Sequence, residues 1–224
     1  MITDYAIIVA GGSGTRMKAS LPKQFLELAG KPVLVHTLEK FHRFNPTMKL
    51  ILVLPEEYIQ FWEDLRRTIG FKIEHTVVPG GKERFFSVKN ALDTIEEGSC
   101  IVGIHDAVRP LVSMKTLESA YHTARERSTA VPVIAIHDSI REVDELGNNH
   151  AVNRRSFRII QTPQCFELNI LKKAYEVMYH PGFTDDASVV EASGVKIHLV
   201  EGNKANIKIT TPEDLRMAES LLAE

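Results

Sequence analysis

Ile7-Ile8-Val9-Ala10-Gly11-Gly12-Ser13-Gly14-Thr15-Arg16-Met17 is the stretch that decides the fold. An apolar, β-branched run gives way at once to glycines, as a buried strand does where it opens into a loop. In an α/β sheet ligands bind beyond the carboxyl ends of such strands. Gly11, Gly12 and Gly14 let backbone amides approach an anion without Cβ interference. The glycines alone are equally compatible with a tight turn.

Working outward, short β-branched runs alternate with longer amphipathic stretches, the pattern of βα units. Strands are expected at residues 5–10, 50–54, 73–78, 101–105, 130–136 and 196–200. Helical spacing of apolar residues predicts helices over 32–44, 56–69, 83–95, 114–127, 168–178 and 212–222. Pro32 and Pro212 suit first-turn positions, and Thr211 before Pro212-Glu213-Asp214 reads as an N-cap. The predicted class is α/β: a three-layer, Rossmann-like, mostly parallel twisted sheet in one domain spanning 1–224. Residues 138–161 break the rhythm around the turn cluster Asp144-Glu145-Leu146-Gly147-Asn148-Asn149, which reads as a protruding β-arm. An isolated two-stranded ribbon is marginal in water, so a second subunit or the chain's own domain must cover it.

Composition narrows the function classes. A hydrophobic fraction of 44% and a charged fraction of 25% are those of a folded globular chain. With 27 basic and 29 acidic residues there is no net positive field for nucleic acid, so an anion site must be local. No segment has the run of ~18 apolar residues that a membrane span needs. The chain enters its first strand without a basic, then apolar leader, and a cytoplasmic location is expected. Cys100 and Cys165 stand apart in apolar surroundings, as buried reduced thiols do.

Spelling removes three familiar glycine loops. A dinucleotide fingerprint aligned on Gly12 and Gly14 would need glycine at Met17 and an acid after Leu54. A Walker A loop needs glycine-lysine-serine or -threonine, which is absent, and a nucleophile elbow needs glycine at Thr15. What remains is a cradle with two cations, Arg16 and the lysine of Pro22-Lys23. Arginine grips phosphate oxygens bidentately and lysine acts as a point charge, which suits a nucleoside triphosphate. A lone Lys23 is more often a solvated surface residue; its company favours the phosphate.

The segment from Gly11 to Gln24 resembles the nucleotidyltransferases, and Pro22-Lys23-Gln24-Phe25-Leu26 narrows this to cytidylyltransferases acting on polyol phosphates. Gly80-Gly81-Lys82-Glu83-Arg84 with Ser87-Val88, His105-Asp106-Ala107-Val108-Arg109-Pro110, Thr184-Asp185-Asp186-Ala187-Ser188 and Asn206-Ile207-Lys208-Ile209-Thr210 are similar to the branch using 2-C-methyl-D-erythritol 4-phosphate. The resemblance spans nearly the whole chain. It implies the nucleotide-diphospho-sugar transferase type of fold, CTP and a polyol phosphate as substrates, Mg2+ as cofactor, and a homodimer joined through the arm. It also implies roles: Arg16 and Lys23 in transition-state stabilisation, and Arg154 and Lys208 on the substrate phosphate. Asp106, Arg109, Ser139 and Thr184 would line the polyol pocket, partly across the dimer interface. Ala10, Gly11, Gly81 and Ser87 would hold cytosine, and Gly12 and Gly14 the ribose-phosphate side. Lys82 departs from a commonly acidic position and Ser139 from a common threonine. A ribitol-phosphate enzyme shares the loop motif, and a catalytically silent nucleotide sensor is the non-enzyme alternative.

The chemistry fits these residues. A phosphate monoester with a second pKa of ~6 is already nucleophilic at neutral pH, so no general base is required. Positioning and charge stabilisation carry such reactions. His105 and Asp106 as strand neighbours point to opposite faces and make a weak catalytic pair; Asp106 is the stronger candidate, toward substrate hydroxyls or magnesium-bound water. No HExxH spacing marks a zinc site. Arg154-Arg155 reads either as a solvated pair or, with Arg158, as part of the site; Trp62 reads as helix packing.

Overall fold

The structure, a computed structural model, describes residues 3–11, 21–96 and 98–223. Gly12, Gly14 and Arg16 lie outside the described residues. Strand β1 (Tyr5–Val9) pairs in parallel with β4 (Lys49–Leu54) on one side and β6 (Ile101–Asp106) on the other, and β4 pairs in parallel with β5 (Thr76–Pro79). Antiparallel β11 (Gln164–Glu167) then joins β6 to β7 (Thr129–Ala135), which also holds β10 (Arg158–Ile160) antiparallel and β12 (Leu199–Glu201) parallel. A short hairpin of β2 (Glu27–Leu28) and β3 (Lys31–Pro32) stands apart.

The two faces of this sheet explain why its central strand β1 is apolar at every position. Ala6 and Ile8 pack with α1 (Val33–Phe44), α2 (Ile59–Thr68) and α4 (Met114–Arg127). Ile7 and Val9 point the other way, into α3 (Arg84–Leu92), α5 (Leu168–Ala174) and α6 (Asp186–Ala192). A strand covered on both sides loses the apolar–polar alternation of a half-exposed one. The last helix, α7 (Pro212–Leu222), begins with Thr211 as N-cap in a reciprocal capping box with Asp214, and Pro212 in its first turn. Cys100 and Cys165 are free and buried.

Several boundaries depart from expectation, each for a local reason. Pro32 precedes α1 as its N-cap residue. Strand β5 starts only at Thr76 because His75 accepts from Trp62 Nε1 at 2.9 Å and its Nδ1 bonds the Ile73 carbonyl at 2.8 Å, which holds 73–75 on α2. Strand β12 starts at Leu199 because Thr129 Oγ1 donates to the Lys196 carbonyl at 2.9 Å. Helix α5 stops at Ala174, after which the Tyr175 ring stacks on Phe85. Strand β11 and helix α6 have no counterpart in the sequence expectation. Within 138–161, β8 (Arg141–Val143) and β9 (Asn149–Ala151) form a separate two-stranded sheet, exposed throughout, whose turn is tied by Asp144 to the amides of Leu146 and Asn148. Arg158–Ile160, counted above with that excursion, belongs to the main sheet.

Candidate active site

Beyond the carboxyl ends of β1 and β6 lies a cleft of about 310 Å³. Ala10, Gly11 and Ser87 line it together with Lys23, Lys82, Arg84, Asp106 and Lys208. One wall is built by close approach: Gly81 N–H donates to Ser87 Oγ at 3.1 Å, and a Cβ on Gly81 would fall 2.3 Å from that of Phe86. No side chain fits there without moving backbone, which explains Gly81 in physical terms. On the opposite flank Gln24 is buried and donates to the Ala10 carbonyl at 2.8 Å, so the short turn carrying Lys23 is pinned to the end of β1.

The floor is a charge cluster centred on Asp106. Its Oδ2 faces Arg109 Nε at 3.2 Å and Lys208 Nζ at 3.1 Å, and its Oδ1 faces Arg84 Nε at 3.6 Å. Burial by itself would raise this carboxyl's pKa, but the cations Arg84, Lys208 and Arg109 hold it well below the carboxylate range. Arg84 is in turn gripped by Asp186, with both Nη atoms at 2.7 Å from its two oxygens. Desolvation works against the guanidinium's charge, yet Asp186 and Asp106 together raise its pKa further.

Distant backbone segments place these groups. Asp106 N–H donates to Thr162 Oγ1, Asn206 Nδ2 donates to the Thr162 carbonyl, and Arg109 Nη1 donates to the Asn206 carbonyl. Ile209 N–H donates to the Val108 carbonyl at 2.9 Å, seating Lys208 beside the end of β6. His105, on the other face, is fully buried between Thr162 Oγ1 and the Arg109 carbonyl, and burial depresses its pKa to about 4. It is a neutral structural residue, as its strand position implied.

The sequence-predicted residues therefore divide. Ala10, Gly11, Gly81, Ser87, Lys23, Asp106, Arg109 and Lys208 converge on one cleft or its floor. Arg154, Ser139 and Thr184 do not join them within this chain: all three are exposed, and Arg154 Nη1 donates to the His137 carbonyl. Sequence reasoning assigned no role to Arg84, Asp186, Gln24 or Thr162. Arg84, Gln24 and Asp186 stood inside quoted motifs, and a signal was available in that a charged or amide residue beside an apolar run is costly to bury without a partner. Among the described residues no three His, Cys, Asp or Glu side chains are grouped to hold a metal ion, and both Asp106 oxygens already face cations. The chain's described donors do not make a magnesium cage.

A larger groove, about 1330 Å³, lies at the amino ends of β1 and β4, where Lys31, Lys49, Arg66 and Lys72 mix with Glu39 and Glu74. It has size without convergent chemistry, whereas the smaller cleft gathers the glycines, the cations and the buried carboxylate, which makes the smaller one the candidate site.

Comparison with known proteins bears on the family and the fold. The family model described as "IspD: 2-C-methyl-D-erythritol 4-phosphate cytidylyltransferase" matches residues 5–224. A Bacteroides fragilis protein named 2-C-methyl-D-erythritol 4-phosphate cytidylyltransferase is 51% identical over 217 residues, covering 97% of this chain and 98% of its own. A Porphyromonas gingivalis protein of the same name is 44% identical over 220 residues, with 97% of each chain covered. Among solved structures, 4-diphosphocytidyl-2C-methyl-D-erythritol synthase of Anaerococcus prevotii superposes with a TM-score of 0.84 at 27% identity, covering 100% of this chain and 97% of that one.

Proposed function

This chain belongs to the 2-C-methyl-D-erythritol 4-phosphate cytidylyltransferase family, and from that premise we propose how its residues divide the work. The reaction transfers CMP from CTP to 2-C-methyl-D-erythritol 4-phosphate, giving 4-diphosphocytidyl-2-C-methyl-D-erythritol and pyrophosphate, in the non-mevalonate isoprenoid pathway. The ribitol-phosphate and sensor readings give way to that membership.

An oxygen of the polyol's phosphate attacks the α-phosphorus of CTP, the bond to the bridging oxygen breaks, and pyrophosphate leaves with the electron pair. Two anions must meet, so cations decide the rate. Ala10, Gly11, Gly81 and Ser87 take the base, and Gly12 and Gly14 the ribose-phosphate side. Arg16 and Lys23 stabilise charge growing on the α-phosphate and leaving group. Lys208 and Arg154 hold the incoming phosphate, while Asp106, Arg109, Ser139 and Thr184 meet the polyol. The observation that carries this assignment is the single cleft lined by Gly11, Ser87, Lys23 and Lys208. Magnesium would be held by the triphosphate rather than by a cage of this chain's described residues, and would add positive charge there.

The arm supports a homodimer. Val143, Leu146, Phe157, Ile159 and Ile160 are exposed on and beside it, and a lone ribbon is marginal in water. A second copy would cover them and bring Arg154 to a neighbouring cleft. No helix among the described residues is long and apolar enough to cross a membrane, and a cytoplasmic setting suits both substrates. Pyrophosphate release from CTP with magnesium tests the reading: turnover is expected with methylerythritol phosphate and not with ribitol phosphate alone, and the reverse preference would sink it.

A further inference from the structure

Arg84 does more than neutralise Asp186. Its two Nη atoms already complete a bidentate fork on that fully buried carboxylate, which Tyr175 O–H fixes further by donating to Oδ1 at 2.6 Å. Its Nε is nonetheless turned to Asp106 Oδ1 at 3.6 Å, while Arg109 and Lys208 occupy the other oxygen. A carboxylate flanked by cations on both oxygens is locked about its own axis, and Lys208, whose side chain is 41% exposed, depends on that carboxylate for its place. The Arg84 side chain keeps 28% exposure and lines the cleft.

Arg84 also spans the two halves of the site. It is the first residue of α3, three positions before Ser87, and it reaches Asp186, the first residue of α6, immediately after Thr184-Asp185. That helix end is held independently: Asp185 caps Ser188 N–H and accepts from Gln164 Nε2, and Gln164 Oε1 accepts from Ala187 N–H. The guanidinium is therefore a fixed strut between the nucleotide wall and the segment leading to the polyol side.

We propose that Arg84 is a positioning residue for the cytidylyl transfer, setting Asp106 and through it Lys208 against the polyol phosphate. The inference rests on the proposed reaction. Loss of such a strut misplaces a reacting group rather than removing it, a displacement that costs up to ~100-fold in rate.

The test is steady-state kinetics on the full-length protein, with folded fraction measured by circular dichroism and thermal melting. Wild-type turnover comes first; if CTP and methylerythritol phosphate give no pyrophosphate, the reaction itself fails and not this inference. With turnover established, Arg84→Met is expected to lower kcat ~10- to 100-fold and raise KM for the polyol phosphate ~10-fold, leaving KM for CTP within about twofold. Arg84→Lys, which keeps a charge but cannot serve Asp186 and Asp106 together, falls between, and it decides the matter if the methionine variant does not fold. Combining Arg84→Met or Arg84→Lys with Lys208→Met should cost less than the product of the single losses, because both act on one group. A variant that melts earlier but keeps kcat and the polyol-phosphate KM per folded molecule, or that multiplies fully with Lys208→Met, makes Arg84 a structural pin between α3 and α6 and overturns the proposal.

Discussion

The floor of the cleft and the β-arm carry the same kinds of residue and treat them in opposite ways. Around Asp106, three cations and a second carboxylate are held by bonds from α3, α6, β6 and the segment before Ile209, so each position is specified several times over. On the arm, Arg154 and Ser139 are exposed and β8 and β9 pair with each other alone. Charges buried with partners are fixed by the cost of leaving them unpaired, whereas charges in water are fixed by little. The difference teaches that one chain gathers Lys23, Arg84, Asp106, Arg109 and Lys208 at one cleft and leaves Arg154, Ser139 and Thr184 apart from it. In the proposed homodimer it is a neighbour that brings Arg154 to the cleft.

The sharpest blow to the ordered half is Lys208→Ala or Lys23→Ala. Each should lower kcat/KM by about 100-fold or more, ~3 kcal/mol in the barrier, with the melting curve little changed. A rate within threefold of wild type would remove that lysine from the chemistry.

Whether the arm serves a neighbouring cleft is decided by mixing. Arg154→Ala and Lys208→Ala should each be nearly inactive alone, yet subunit exchange between them should restore about a quarter of wild-type activity through mixed dimers with one intact site. No recovery after demonstrated exchange would place Arg154 and Lys208 in one chain's site, and a monomer in sizing experiments would remove the arm's proposed role.

A third prediction concerns stability under the floor. Burial depresses the His105 pKa to about 4, so the unfolded chain, with its histidine near 6.5, takes a proton that the native state refuses. Stability is full above pH ~6.5 and falls as pH drops toward ~4, by up to ~3 kcal/mol from this group. Asp106, held lower still, adds its own loss only below about pH 4. His105→Gln should flatten the dependence of the urea midpoint on pH across that window; an unchanged slope would assign it to other groups.

The smallest effect belongs to the arm's tip. Leu146, 88% exposed, should tolerate Leu146→Ser with a change below ~0.5 kcal/mol in monomer stability. A larger loss measured at dimer-forming concentrations, and absent on dilution, would locate the tip inside the interface.

Much of this site was legible in the chain. The run into Gly11 marked a strand end, beyond which a cleft lies, and the helices with strong apolar spacing lie close to where periodicity put them. What stayed hidden has a common physical character. Strand β11 is four residues following Pro163, stabilised by β6 and β7 on its two sides, and nothing local announces a strand of that length. Helix α6 is seven residues, too short for a periodic signal, and exists because Asp185 caps it and Asp186 is clamped by Arg84. Arg84 itself was visible only as one letter of a motif, because its partners lie 22 and 102 positions away.

The sequence by itself determined the class of fold, written in its apolar periods, and the family, which its motifs resemble. Tertiary structure alone decided which charges meet. Asp106 became the hub of the floor, His105 a buried neutral ring, Arg84 a strut, and Arg154 a residue left on the surface. The reason is that pairing, burial and dielectric are properties of neighbours in space, and in a crossover sheet those neighbours come from segments far apart along the chain.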